Sequence, residues 1–315
     1  MSSDRPEAVR PVISATPQLR RRRGTAAGLV RSCRPKQWIK NGFVLVPAVF
    51  GAAFVARIGP LVLTVVAFCL TSSALYLIND VLDRESDRLH DRTRNRPIAS
   101  GLVSARTGVV AACVLLAAAL VLAALVSIPA LIVLLTYAAS TLLYSFGLKR
   151  IVILDVLILA AGFVLRMLAG AAAAQVPATM WLLLCMTFLA LFLGFGKRRY
   201  DLLALGDGAA DHRRVLGEYT TDLLSQFLMA SMICTLVSYS LYVFLSPSAK
   251  LHQGMELTIP FANFGIFRYL LVAETKHAGG SPEEILLQDR PLQIAAAGWM
   301  LVALLSLYVL PGHFF

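Results

Sequence analysis

The sequence predicts an all-α, polytopic membrane protein, and three observations carry the prediction. Hydrophobic residues make up 58% of the 315, and the mean hydropathy is +0.72. They fall in runs long enough to cross a hydrocarbon layer of about 30 Å at about 1.5 Å per helical residue. Charged residues gather in the connections between those runs, most heavily in every second one. A soluble two-domain chain of this length does not segregate its residues in this way.

Residues 1–30 are polar, with Pro6, Pro11, Pro17 and the run Arg20 to Arg23. No apolar stretch follows closely enough for a cleaved signal peptide, so a disordered basic tail lying against anionic lipid is expected. Residues 31–315 are expected to form a single transmembrane catalytic domain of about nine helices. The spans are 38–57, 61–81, 106–127, 129–147, 151–172, 178–196, 222–246, 257–275 and 292–311. The fourth and sixth are short and the eighth is interrupted by Asn263 and Arg268, so a count of eight is also compatible. Of 29 lysines and arginines, only Arg57 and Lys250 fall on one side and only Arg166 and Arg268 within spans, which leaves 25 on the side of the N-terminus. That bias places the N-terminus and every charged loop in the cytoplasm, as expected of a multi-pass protein of the cell (inner) membrane.

The net charge of +11 comes from basic clusters between apolar runs, which suits a membrane lipid surface and phosphate-bearing ligands and not nucleic acid. The five cysteines, Cys33, Cys69, Cys113, Cys185 and Cys234, show neither pairing nor metal spacing and read as small core residues.

The stretch from residue 76 to 101 organises the rest. Asp80, Asp83 and Asp87 follow the end of the second span at i, i+3 and i+7, so on a continuing helix they share one face. Carboxylates so placed repel one another unless a cation sits among them. Mg²⁺ takes oxygen ligands and is commonly held by one or two carboxylates plus substrate phosphates. The simpler alternative is a solvated loop whose acids pair with Arg84, Arg88 and Arg92. Asn79, still inside the apolar run, favours a metal–diphosphate site, because polar groups at membrane depth are costly and usually functional.

Further candidates surround it. Arg34, Lys36, Lys40 and Asn41 stand at the mouth of the first span, where Lys36 and Lys40, at i and i+4, would offer one helical face to a phosphate. Interfacial anchoring by Trp38 and snorkelling lysines accounts for the same pattern without a ligand. Asp155 and Arg166 are eleven residues apart in the fifth span, about 16 Å along the axis, so each needs a partner on another span or water in a cavity. Arg268, beside Tyr269 in the eighth span, poses the same question. Tyr144, Lys149 and Arg150 flank a turn. A second charged loop begins with Lys197, Arg198, Arg199, Tyr200 and Asp201, four spans after the first, and hints at an internal duplication. His90 and His212 have no partner at ligand spacing, and no nucleophile triad, phosphate-binding glycine loop or zinc pattern is apparent in the sequence.

Asn79-Asp80-x-x-Asp83-x-x-x-Asp87 at the end of the second span resembles the first aspartate motif of the UbiA superfamily of intramembrane prenyltransferases. Arg34-Pro-Lys-Gln-Trp-Ile-Lys-Asn41, Asp87-Arg-Leu-His90 and Arg96-Pro-Ile-Ala-Ser-Gly101 bring the resemblance closer to one branch, the decaprenyl-phosphate phosphoribosyltransferases of mycobacterial cell-wall synthesis. Tyr144-Ser-Phe-Gly-Leu-Lys149, Gly196-Lys-Arg-Arg199, Phe267-Arg-Tyr269 and Pro282-Glu-Glu-Ile285 through Asp289-Arg290 to Leu292-Gln293 extend it from about residue 31 to the C-terminus. The resemblance implies a phosphoribosyl diphosphate donor, a polyprenyl (decaprenyl) phosphate acceptor, and Mg²⁺ held by Asp80, Asp83 and Asp87 with Asn79 alongside. It also implies a role in cell-wall arabinan precursor synthesis.

Aromatic prenyltransferases of the superfamily carry a second Asp-x-x-x-Asp motif. Here the corresponding loop is mostly basic, with Asp201 and then Asp207 as its acids, which suits a second phosphate better than a second metal motif. The candidate substrate-binding residues are therefore Lys36, Lys40, Asn41, Asn79, Arg94, Tyr144, Lys149, Arg166, Lys197, Arg198, Tyr200, Asp201 and Arg268. Lys36 and Lys40 would serve one phosphate, and Lys197 with Arg198 another. The polyprenyl chain would lie between helices in a cavity open sideways to lipid. Two other readings compete: an aromatic prenyltransferase using a polyprenyl diphosphate, and a lipid-phosphate transporter. A homo-oligomer is compatible with all three.

Overall fold

The computed structural model describes residues 17–89, 93–205, 214–247, 254–275 and 282–309. Among these every regular element is helical. The α-helices are α1 (Pro17–Ser32), α2 (Val46–Phe50), α3 (Ile58–Leu82), α4 (Arg84–Leu89), α5 (Ala105–Val126) and α6 (Ile128–Phe146). They continue with α7 (Leu154–Ala174), α8 (Met180–Leu205), α9 (Thr221–Leu245), α10 (Ile259–Thr275), α11 (Pro282–Gln288) and α12 (Arg290–Tyr308). Seven of the described helices, α3, α5, α6, α7, α8, α9 and α12, are long and apolar enough to cross a membrane. The molecule is a multi-pass membrane protein. The expected eighth span is α10, with 17 residues.

The first expected span differs most from expectation. It forms a 3₁₀ helix, Pro35–Leu45, followed by the five-residue α2 with Pro47 in its first turn. Three residues per turn put Trp38, Asn41 and Val44 on one face. Trp38 Nε1 donates to Ser73 Oγ at 3.1 Å and Asn41 Nδ2 to Cys69 Sγ at 3.2 Å, so this helix runs antiparallel along α3. On the other side it presses on α7, where a Cβ at Gly170 would lie 1.8 Å from the Val44 carbonyl oxygen. The 3₁₀ period also overturns the expectation that Lys36 and Lys40 share a face. They stand about a third of a turn apart; Lys36 is exposed and Lys40 half-buried.

Two other segments depart from the sequence reading. Residues 17–30, expected to belong to a disordered tail, are helical as part of α1, and Gly28 sits close against Val103 and Leu102 while Leu29 joins the cluster around Ile98. Residues 1–16 lie outside the described residues. The sixth span does not stop at residue 196: α8 continues to Leu205, so Lys197 to Asp201 ride on a helix and not a loop.

Elsewhere local chemistry and packing agree. Ser127 ends α5 and caps α6, its Oγ accepting from Ala130 N at 3.2 Å, with Pro129 in the first turn of the new helix. The core between α3, α5 and α6 sets Phe68, Leu75, Leu134 and Tyr137 against the small Ala119 and Ala123, which let the helices approach closely where lipid supplies no hydrophobic drive. After α4 the chain turns at Pro97 and at Gly101, whose φ of +79° needs glycine. Ile98 and Val103 are thereby buried against Ala74, Leu77 and Ala112 beneath the end of α3.

Candidate active site

A cavity of about 550 Å³ opens at this end of the bundle, walled by α3, α6, α7, the 35–45 helix and the 93–103 turn. Its mouth is set by Arg34, Asn79, Asp83, Asp87, Arg96, Lys149 and Arg150, and Ser72, Tyr137, Phe163 and Arg166 line its depth. Among the described residues, six cations (Arg34, Lys40, Arg96, Lys149, Arg150 and Arg166) face it against two carboxylates, Asp83 and Asp87.

The three aspartates do not present one face. α3 ends at Leu82, and Asp83 caps it with φ −86° and ψ 2° before α4 begins. Asp80, 2% exposed, turns Oδ1 to Arg34 Nη2 at 2.6 Å and to Arg96 Nη1 at 3.5 Å, and does not line the cavity. Asp87 Oδ2 accepts from Arg96 Nη1 at 2.7 Å. Asp83 accepts from Lys149 Nζ at 2.9 Å and from Asn79 Nδ2 at 3.0 Å. For Arg84 and Arg88 the simpler sequence alternative is not what is found, because Arg84 pairs with Glu85, and Arg88 donates to the Ala99 carbonyl and lies 3.7 Å from Glu85. Arg92 lies outside the described residues.

Among the described residues no group of three or more acids, histidines or cysteines is placed to hold a metal ion. The expected three-carboxylate cage is thus reduced to Asp83, Asp87 and Asn79 on the cavity wall. These are hard oxygen donors of the kind Mg²⁺ shares with substrate phosphates, and the donor set fits that mode of binding and not a closed protein cage.

Arg166 stands twelve residues into α7, about 18 Å from its start. Nε donates to Asn41 Oδ1, Nη1 to the Gly162 carbonyl and Nη2 to Tyr137 Oη, each at 2.8 Å. Asp155, at the start of the same helix, is fully buried and accepts from Arg198 Nε at 2.6 Å and from Tyr219 Oη at 3.0 Å. Asp155 therefore finds its side-chain partners beyond its own span, and Arg166 does so for two of its three bonds.

The Tyr219 hydroxyl accepts in turn from Ile153 N at 2.7 Å. Ile153 has φ +68°, and Leu154 N bonds back to Val152 O at 2.8 Å, a γ-turn that a β-branched residue adopts only under strain. Burial, with the Asp155 carboxylate adding to it, pushes the Tyr219 phenol up to about 12, so its proton stays in place between the two partners. The strained turn lies just after Lys149 and Arg150 and fixes where they stand.

Of the remaining predicted residues, Tyr144 lines the cavity. Lys197 and Tyr200 border a separate crevice of about 30 Å³. Arg198, expected to clamp a phosphate, is 3% exposed and committed to Asp155, with Asp201 3.7 Å away. Arg268 is committed to Asp289 through two bonds of 2.9 and 3.0 Å. Lys36 and Arg94 are exposed and do not line the cavity. His90 and His212 lie outside the described residues. Sequence reasoning missed Arg96 as a partner of the acids; the signal was Pro97 followed by Gly101, which folds the chain back under α3. It also missed Tyr219, which no local pattern marks.

Residues 44–279 match the UbiA prenyltransferase family. The chain belongs to that family. It is 33% identical over 294 residues to the decaprenyl-phosphate phosphoribosyltransferase of Corynebacterium glutamicum, covering 91% of this chain and 88% of the relative. It is 35% identical over 295 residues to the enzyme of the same name from Mycolicibacterium smegmatis, covering 87% and 90%. Among solved structures, a UbiA homologue from Archaeoglobus fulgidus bound to GPP and Mg²⁺ superposes with a TM-score of 0.69 at 21% identity, over 90% of this chain and all of that one. The fold is that of the UbiA enzymes, and the protein is a transferase. Membership of an enzyme family sets aside the transporter reading.

Proposed function

We propose that this UbiA-family enzyme transfers the 5-phosphoribosyl group of phosphoribosyl diphosphate to a polyprenyl (decaprenyl) phosphate, releasing diphosphate. The charge balance of the cavity carries the reading. Among the described residues six cations line the cavity, and even with Asp80, Asp83 and Asp87 set against them they exceed what one diphosphate and its metal require. They suit a donor bearing a diphosphate and a phosphate monoester together with an acceptor bearing another monoester. The names of the two bacterial relatives, each nearly full-length, support the same choice.

Asp83, Asp87 and Asn79 would hold Mg²⁺, which when bound neutralises charge on the diphosphate. Arg34, Arg96 and Lys149 already stand beside the acids and face the oxygens on which charge develops as diphosphate leaves. Preorganised cations aimed at developing charge lower a barrier without reorganising at the moment of reaction. An acceptor phosphate oxygen forms the new bond to the anomeric carbon while the bond from that carbon to the diphosphate oxygen breaks, and the electron pair departs with diphosphate. The attacking phosphate is already anionic, so no general base is needed, and none of the described residues lining the cavity is a histidine. Ile158, Leu159 and Phe163 supply an apolar wall along which the first isoprene units would lie. The lysine and arginine bias supports a mouth on the cytoplasmic side, and the product would feed arabinan precursor synthesis.

The test is purified protein with Mg²⁺, phosphoribosyl diphosphate and a short polyprenyl phosphate, the lipid product being weighed by mass spectrometry. A phosphoribosyl-lipid product that disappears on chelation is expected. Incorporation from a prenyl diphosphate into an aromatic acceptor, with none from the phosphoribosyl donor, would replace this reading by the aromatic prenyltransferase one.

A further inference from the structure

On α8 and α10 the arginines are neutralised by carboxylates: Arg198 by Asp155, Arg199 by Glu274 and Arg268 by Asp289. Arg166 is different. It is 7% exposed, and among the described residues it makes no ion pair. All three of its hydrogen-bond partners are neutral: an amide oxygen, a backbone carbonyl and a phenol. A buried cation far from either surface is costly unless something anionic or strongly polar meets it. The rings of Tyr137, Phe163 and Phe68, 4.6, 5.5 and 5.8 Å from the guanidinium, offset part of that cost. They also fix the plane of the fork.

We propose that Arg166 is the seat of a phosphate monoester bound deep in the cavity. The proposal rests on the phosphoribosyl-transfer reading of the same cavity and adds a division of labour to it. A guanidinium has five N–H donors. Three are used, which leaves one on each terminal nitrogen, and two oxygens of a phosphate match such a pair side by side. Lys40, next to Asn41 on the 35–45 helix, also lines the cavity and adds the second positive charge that a dianion calls for. Among the described residues no carboxylate lines this depth, so a ligand here is held by cations and neutral donors and not through a metal. The mouth is the reverse, since Asp83 and Asp87 are there and Arg34, Arg96 and Lys149 are already paired with acids. A diphosphate with its metal therefore belongs at the mouth, and a metal-free monoester belongs at Arg166. Two groups share that chemistry, the donor's 5-phosphate and the acceptor's phosphate.

The experiment uses the full chain in detergent and metal-free buffer, with ribose 5-phosphate and farnesyl phosphate added separately and ribose and farnesol as neutral comparators. Binding is read by calorimetry or by the shift in unfolding temperature. Wild type is expected to bind one monoester well above its neutral comparator. Arg166→Gln is expected to weaken that binding about tenfold or more, the scale of two charge-assisted hydrogen bonds. Arg166→Lys should restore part of it, because the charge returns without the fork. The monoester affected names the source, and the KM of the matching substrate should rise by a similar factor. If Arg166→Gln does not hold its fold, the comparison is read on Arg166→Lys, where a loss of about threefold or more confined to the monoester is expected. Equal monoester binding in wild type and variants, or binding no better than that of the neutral comparators, overturns the proposal. Arg166-dependent monoester binding in a protein that makes no phosphoribosyl product would overturn the functional reading and leave this one standing.

Discussion

At the cavity mouth Arg34 and Lys149 are 31% and 20% exposed while they hold Asp80 and Asp83. At the other acid–base set, between α7 and α8, Arg198 and Asp155 are 3% and 0% exposed. Both sets are built from arginine or lysine and aspartate, and both draw their members from distant parts of the chain. Hydration separates them. Ion pairs that keep contact with water can exchange one partner for a ligand oxygen at little cost. A sealed pair cannot, because removing either member strands a charge where nothing solvates it. The mouth is therefore suited to binding, and the sealed set holds the strained turn at Ile153 and with it the position of Lys149.

The largest expected effect tests the sealed set. Asp155→Asn should cost about 3–5 kcal/mol of stability, because it leaves Arg198 buried with only the more distant Asp201 as a counter-charge. Asp155→Leu combined with Arg198→Met should recover most of it, read as unfolding temperature in detergent. If the double change is as damaging as the single one, the pair does more than satisfy itself and the contrast with the mouth fails.

Next comes the mouth. Asp87→Asn or Asp83→Asn should lower kcat by about 10²–10³, the usual loss when one member of an electrostatic clamp is removed, with an unfolding temperature near that of wild type. A large fall in stability with turnover kept would reverse the roles assigned to the two sets.

A smaller effect sharpens the link between them. In Gly170→Ala the new methyl meets the Val44 carbonyl. It should push the 35–45 helix away at a cost of about 1–3 kcal/mol, and it should weaken monoester binding because Asn41 and Lys40 move with that helix. Unchanged monoester binding in a destabilised Gly170→Ala would show that the depth of the cavity does not depend on this contact.

The smallest is Glu85→Gln. Glu85 is exposed, and hydrogen bonding from Arg84 holds its carboxyl below the usual carboxylate range. Its pairs with Arg84 and Arg88 stand outside both sets, so neither unfolding temperature nor turnover should change measurably. A measurable loss of turnover would extend the functional mouth beyond the residues that line it.

Much of this was legible in the sequence. Seven long apolar helices fall where hydropathy put them, because membrane spans are specified by length and composition alone. The need of Asp155 and Arg166 for outside partners followed from helix rise. What failed was whatever depended on helix period or on distance in the chain. The i, i+4 reading of Lys36 and Lys40 assumed an α-helix, whereas a prolyl start and the pressure of α7 give a 3₁₀ one. Arg198 looked like a surface cation because α8 was expected to stop short of it.

Residue types and hydropathy by themselves determined a polytopic helical bundle with acids and bases massed at one end, since the cost of placing charge or unpaired backbone in lipid leaves few alternatives. Which cation neutralises which acid was decided only by the tertiary structure. Arg34, Arg96 and Lys149 reach the aspartates from 46, 16 or 9, and 66 residues away. Such pairings are chosen by how helices cross and how much water remains between them, and neither is written in the local order of residues.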